Sequence, residues 1–233
     1  MRIAIIDDGA GAFATLSKLK YQISADYNVY VLDAHFPLGA QNKMQLVQIA
    51  KDAYSRAVED GCNAVVFSSV NLAVTGAKQI SPPPEIALFG CEAPVLHAST
   101  YTASKVLVVG DEFTANFAKR FPSVICLALP QFPHLAEAFA DDKTVVSYIA
   151  QHAEPFSGSF DCIAIGNSSM NLYKHCFSRV FPNAQIFDSL EGVARKLRKK
   201  YKKNTHECST VTVIGEKAED LAEKYKFFTD ELC

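Results

Sequence analysis

Ser68-Ser69-Val70-Asn71-Leu72 and Ser168-Ser169-Met170-Asn171-Leu172 repeat one pattern, hydroxyls followed by an amide, a hundred residues apart. The first follows the apolar run Ala64-Val65-Val66-Phe67 and the second follows Cys162-Ile163-Ala164-Ile165-Gly166-Asn167, and each leads into a helical pattern. Hydroxyl and amide donors close to a helix N-terminus suit a carboxylate, because the partial positive charge there favours an anion. Ser69, Asn71, Asn167, Ser168 and Ser169 are therefore candidate ligand contacts. A third polar segment, Asp7-Asp8-Gly9-Ala10-Gly11-Ala12, closes the run Arg2-Ile3-Ala4-Ile5-Ile6. Its small residues let the backbone turn tightly and let a ligand approach main-chain groups. The two carboxylates have the wrong sign for phosphate, and the segment lacks both the third glycine of a dinucleotide fingerprint and a phosphate-loop Gly-Lys-Ser/Thr. What remains is contact with a cationic atom such as an ammonium group, or proton abstraction with Asp7 as the base. Helix capping is the competing explanation throughout, since Ser, Asn and Asp are preferred at that position, and Asp8 would cap the helix after it.

Parallel strands are the elements that must hold these groups. Short apolar runs at 2–7, 27–33, 63–68, 86–90, 105–110, 124–128, 160–166, 184–187 and 209–214 alternate with longer amphipathic stretches, which is βαβ wiring. Ile3 to Asp7, Val106 to Gly110 and Ile163 to Gly166 are continuous rather than alternating in apolarity, so helices are expected on both faces. Ser81-Pro82-Pro83-Pro84 breaks the pattern and introduces the fourth strand. The repeat predicts an α/β chain of two similar flavodoxin-like lobes with parallel sheets and a ligand cleft between them, since ligands collect at the carboxyl ends of strands in open sheets. No linker is visible, so the crossings are placed at Glu92-Ala93-Pro94 and Phe187-Asp188-Ser189. The first lobe would then comprise residues 1–93 and 188–233, and the second lobe residues 94–187.

With 233 residues, 49% of them hydrophobic and 21% charged, the chain can bury a substantial core. A formal net charge of -2 supplies no general attraction for nucleic acid or an anionic membrane. No run approaches the ~20 apolar residues of a membrane span, and the N-terminus does not read as a signal peptide. The seven cysteines are scattered without CxxC or CxxH spacing, which points to free thiols in a reducing compartment, cytoplasmic by default, and to no zinc site. No cofactor is called for, and a homodimer is compatible with the composition. Arg195, Lys196, Arg198, Lys199, Lys200, Lys202 and Lys203 crowd the end of a helix that opens Asp188-Ser189-Leu190-Glu191. Acid first and base last suits the helix dipole; an acidic partner surface or nucleic acid is the alternative.

Several segments, in order along most of the chain, resemble the glutamate racemases of the aspartate/glutamate racemase superfamily. Ile5-Ile6-Asp7-Asp8-Gly9-Ala10-Gly11-Ala12 is similar to the family's Asp-Ser-Gly-Ile-Gly-Gly opening, and Leu32-Asp33-Ala34-His35-Phe36-Pro37-Leu38-Gly39 to its Gly-Asp-Thr-Ala-Arg-x-Pro-Tyr-Gly loop. Thr114 falls on a family threonine, Leu129-Pro130-Gln131-Phe132-Pro133-His134-Leu135-Ala136-Glu137 resembles its proline-rich segment, and Ile186-Phe187-Asp188-Ser189 with Val193-Ala194-Arg195 resembles the close of its second half. The resemblance implies the two-lobed fold and adds Asp8, Pro37, Gly39 and Thr114 to the candidate contacts; His35 aligns near a family arginine.

The departures bear on chemistry. Family enzymes move the α-proton of glutamate between two cysteines in Cys-Asn-Thr and Gly-Cys-Thr-His motifs. Here the first position falls on Ser69, or on Ser68 with a one-residue slip, and the second on Asn167; the companion histidine becomes Ser169 and the tyrosine of Pro-Tyr-Gly becomes Leu38. A thiol is a usable base because its pKa is near ~8.5 and can be lowered. A serine needs a separate base, and an amide does not exchange protons usefully. The expectation is a racemase-like protein without the two-thiol mechanism that binds a small acidic amino acid or dicarboxylate, or acts through a protein partner. The alternative is an active racemase, isomerase or lyase of the superfamily using Asp7 or Cys91. Cys62, Cys162 and Cys176 are expected to be packing residues, while His134 and Glu137 divide evenly between site and surface.

Overall fold

Ile3, Ala4, Ile5 and Ile6 are fully buried, as are Val65, Val66, Leu107 to Val109, and Ile163 with Ala164, so these runs have cover on both faces. The computed structural model describes residues 1–92, 105–121, 124–156, 160–201 and 209–230. Its strands are β1 (Arg2–Asp7), β2 (Asp26–Val31), β3 (Ala64–Phe67), β4 (Ala87–Gly90), β5 (Val106–Gly110), β6 (Val124–Ala128), β7 (Cys162–Ile165), β8 (Gln185–Phe187) and β9 (Val211–Ile214). Each coincides with an apolar run marked in the sequence. Every described strand pair is parallel, which is the α/β class expected.

The chain divides into two compact units, residues 1–92 with 190–233, and residues 93–189. The first holds a sheet of order β4-β3-β1-β2-β9 and the second a sheet of order β6-β5-β7-β8. The wiring is the same in both. The chain leaves the first strand of each unit to one side, for β2 or β6, then crosses to its other side for β3 or β7, and continues outward to β4 or β8. The strand order reverses beside β1 in one unit and beside β5 in the other, and at such a switch point the loops part and leave a crevice outside the carboxyl ends. After the second unit the chain returns, and β9 joins the first sheet against β2.

Helices supply the cover. Lys43–Glu59 starts with a capping box in which Asn42 and Gln45 satisfy each other's backbone N–H, and it buries Leu46, Ile49, Ala50, Ala53 and Ala57. These recur at helical spacing, so one stripe is buried, and full burial of each Leu or Ile contributes about 1.5–3 kcal/mol. Gly11–Gln22 buries Phe13, Leu16 and Leu19. Leu190–Lys200 buries Leu190, Val193, Ala194 and Leu197, leaving Arg195, Lys196, Arg198, Lys199 and Lys200 exposed; Lys202 and Lys203 lie outside the described residues. Asp188 meets Lys174 Nζ at 2.6 Å, and Glu191 takes Lys18 and Arg198.

Two glycines decide how tightly the second unit closes. A Cβ on Gly166 would lie 2.2 Å from Thr114 Cγ2 and 2.8 Å from the Val109 carbonyl, and one on Gly110 would lie 2.6 Å from Thr114. Thr114, fully buried, therefore sits where only hydrogen can be tolerated on β5 and on the residue after β7. Gly166→Ala is expected to destabilise the protein by about 1–3 kcal/mol through overpacking. Urea denaturation checks this, and an unchanged midpoint would contradict the packing.

Candidate functional site

Asp7 ends β1 and is the first polar side chain after four fully buried residues. It is itself buried, and its Oδ1 accepts the Asp8 N–H at 2.9 Å. Asp8 Oδ2 accepts the backbone N–H of Leu38 at 2.7 Å, which ties the loop containing Pro37 and Gly39 to the end of β1. That loop is two 3₁₀ turns, Asp33–His35 and Leu38–Ala40, with His35 exposed and Pro37 and Gly39 half-buried. Asp8 does not cap the following helix: Ala10 holds the N-cap position there, without a side-chain bond.

The two carboxyl groups also hydrogen-bond to each other. Burial, then the charge and hydrogen bond of Asp7, push the Asp8 carboxyl well above the usual carboxylate range, against the opposing pull of the Leu38 N–H. Two carboxylates in contact resist double ionisation, so the pair titrates as a unit and retains a proton where an isolated aspartate would have lost it. The pair can attract one cation and can give or take one proton.

The end of β3 lies beside β1. Ser68 is fully buried and its Oγ lies 2.6 Å from Thr15 Oγ1 on the helix Gly11–Gln22. Ser69 occupies the N-cap position of Val70–Thr75 without making a side-chain cap bond, so capping does not account for its hydroxyl. Asn71 is buried in the first turn of that helix. Cys91 is buried just past β4, and its N–H donates to the Phe67 carbonyl at 2.9 Å. Among the described residues it is the one thiol at a strand's carboxyl end. Cys62 precedes β3, Cys126 lies within β6, Cys162 opens β7 and Cys176 is helical.

In the second unit the corresponding strand ends are bonded together. Asn167 Oδ1 accepts the Asp111 N–H at 2.8 Å and the Thr114 hydroxyl at 3.3 Å, while Asn167 Nδ2 donates to Asp111 Oδ2 at 3.1 Å. Asp111 Oδ1 accepts the Thr114 N–H at 2.7 Å and so caps the helix Glu112–Ala118. Asn167 makes no cap bond of its own; its amide bridges β7 to β5. Ser168 is buried and Ser169 half-buried, in a 3₁₀ turn, Ser168–Tyr173, that precedes the helix Lys174–Val180. The expected helical pattern is thus 3₁₀ at this point, and the helix after β3 has only six residues. Neither segment carries the dipole of a long helix, which removes much of the anion-attracting contribution assigned to them. The donors must act through their own hydroxyl and amide groups.

Sequence reasoning passed over Asp111, Thr15 and the Leu38 N–H. Asp111 carried a legible signal, an aspartate directly after an apolar run with threonine three residues on. Backbone N–H groups carry none. His134 is exposed and Glu137 half-buried on the helix Phe132–Glu137.

No protein-family model matches the chain. The chain is similar in sequence and in fold to glutamate racemases. A glutamate racemase of Carboxydothermus hydrogenoformans is 22% identical over 214 residues, covering 87% of this chain and 80% of that protein. The crystal structure of glutamate racemase from Campylobacter jejuni superposes with a TM-score of 0.83 at 15% identity over 100% of both chains. The Escherichia coli glutamate racemase, solved in complex with L-glutamate and the activator UDP-MurNAc-Ala, superposes with a TM-score of 0.81 at 13% identity, covering 97% of this chain and 94% of that one. The chain has the fold of the glutamate racemases. Among the described residues no helix is long and apolar enough to cross a membrane.

The Asp7–Asp8 pair makes stability depend on pH. Because the folded pKa of Asp8 lies above the unfolded value of about 3.9, its contribution is complete below that value and is lost as pH rises through the folded one. Asp8→Asn keeps an acceptor for Leu38 N–H and removes the charge. It is expected to flatten that loss, so that the variant's Tm falls less than the parent's as pH rises above the ordinary aspartate range. Thermal melts at a series of pH values from about 4 upward check this; a variant curve falling in parallel with the parent would overturn the shared proton.

Proposed function

We propose that this chain is a relative of the glutamate racemases that lacks the two-thiol proton relay and binds a small acidic amino acid or dicarboxylate. One observation carries the reading: the carboxyl ends of β3 and β7 bear Ser68, Ser69 and Asn167 rather than thiols. A hydroxyl without a base and an amide whose oxygen already accepts two hydrogen bonds are poor proton carriers, yet hydroxyls such as that of Ser69 suit recognition of a carboxylate. The Asp7–Asp8 pair supplies negative charge for an ammonium group. In the first unit Ser69 supplies a donor for a carboxylate oxygen, with Pro37, Gly39 and Asn71 as further contacts; in the second unit Ser168 and Ser169 supply such donors, with Thr114 holding the strand ends beside them.

A second reading is favoured by the pair itself. A carboxyl whose proton affinity is raised by burial and by a second carboxyl can serve as a single acid or base, so an isomerase or lyase using Asp7 or Cys91 is the alternative. Both readings are separated by proton NMR of L- and D-glutamate, then L- and D-aspartate, with purified protein in deuterium oxide. The binding reading predicts line broadening with the α-proton retained, and Ser69→Ala weakening affinity roughly tenfold, about 1.4 kcal/mol, for loss of a hydrogen bond to a charged group. Loss of the α-proton signal would refute inactivity and direct mutagenesis to Asp7 and Cys91. No effect with any of the four would favour action through a protein partner.

A further inference from the structure

We propose that Asp142, His175 and Cys176 form a binding site for a thiophilic divalent cation of the zinc class, independent of the polar strand ends. The three residues come from two helices, Asp142–Ala153 and Lys174–Val180, and their ligand atoms all lie within 4.8 Å of one another. His175 Nε2 is 2.7 Å and Cys176 Sγ 3.5 Å from the same oxygen, Asp142 Oδ1.

The three ligand atoms are close enough for one ion to draw them in, the nitrogen and sulfur, which lie within 4.8 Å, closing to about 3.5 Å around it. Tetrahedral zinc with bonds of about 2.0 Å to N or O and about 2.3 Å to S sets sulfur and oxygen about 3.5 Å apart and nitrogen and oxygen about 3.3 Å apart. The sulfur–oxygen separation already has that value. The nitrogen–oxygen pair opens by about half an ångström as its hydrogen bond gives way to two metal bonds.

Asp142 is also not needed for the most common alternative role. It lies in the first turn of its helix, but Asp141 is the cap, accepting from the N–H and hydroxyl of Thr144. Arg179 Nη1 holds the other oxygen, Asp142 Oδ2, at 3.0 Å, and in the loaded site it orients the carboxylate from behind, as outer partners of metal ligands do. Cys176 is fully buried while Asp142 and His175 are part-exposed, so the ion enters from solvent and the thiol closes the inner side. Neutral His175 donates its nitrogen lone pair, the thiol proton leaves to solvent, and the fourth position is left for water. Bound there, the ion clips the two helices together just after the turn Ser168–Tyr173. Cysteine spacing cannot reveal such a site, because the third ligand lies 33 residues before His175.

Cobalt(II) titration of the full-length reduced protein tests it. One equivalent is expected to give a near-ultraviolet thiolate-to-cobalt band and intense visible bands of tetrahedral type, both abolished by zinc. Cys176→Ser should remove the thiolate band, and His175→Gln and Asp142→Asn should each weaken cobalt binding by at least ~10-fold. Cys176→Ser changes a fully buried position, so the part-exposed His175→Gln carries the test if that variant does not fold. Absence of the band in the parent protein, or a band of unchanged affinity in His175→Gln, overturns the site.

Discussion

Burial of both faces of the central strands governs everything else in this molecule. A central parallel strand offers no side on which a polar group can meet solvent, so Ile3 to Ile6, Val65 to Phe67 and Ile163 to Ala164 are wholly apolar and fully buried. In these strands polar side chains wait for the strand end: Asp7, Ser68 and Ser69 in the first unit, Asn167 and Ser168 in the second. Shared wiring then places a reversal of strand order beside β1 in one unit and beside β5 in the other. Within each unit, topology sets the candidate residues at the carboxyl ends beside that reversal before any one of them is asked to do chemistry.

The two units use the same position differently. In the first, two carboxyl groups press together and raise the proton affinity of Asp8, which leaves an electrostatic demand that a cation or a proton can meet. In the second, Asp111, Thr114 and Asn167 satisfy one another through four hydrogen bonds. A satisfied buried network is rigid and specific, because breaking any part of it exposes polar groups to a poor solvent. One end is chemically unsettled and the other is structurally closed.

Much of this was legible in the residues. Continuous apolar runs mark the strands, because burial on two faces leaves a one-dimensional trace, and proline at 82 to 84 marks the entry to β4. The polar residues after β1, β3 and β7 were visible for the same reason. Their roles were less so. Asn167 reads as a cap or a ligand contact, yet it bridges to Asp111, 56 residues earlier, a pairing set by strand order rather than by local pattern. Asp8 reads as a cap, yet it accepts from Leu38, 30 residues later. The 3₁₀ form of Ser168–Tyr173 escapes periodicity over so short a stretch, and Asp142 meets His175 and Cys176 only because two helices pack side by side.

The network around Asn167 has a consequence for how this chain can change. Replacing Asn167 by a thiol would remove the acceptor of the Asp111 N–H and of the Thr114 hydroxyl and the donor to the Asp111 carboxylate. Each buried group deprived of its partner costs about 1–3 kcal/mol. Positions 111, 114 and 167 therefore behave as one unit of inheritance, in which any single exchange is penalised until the others follow. A path from this sequence to a thiol-bearing one runs through a less stable intermediate, whatever the fitness of its endpoint.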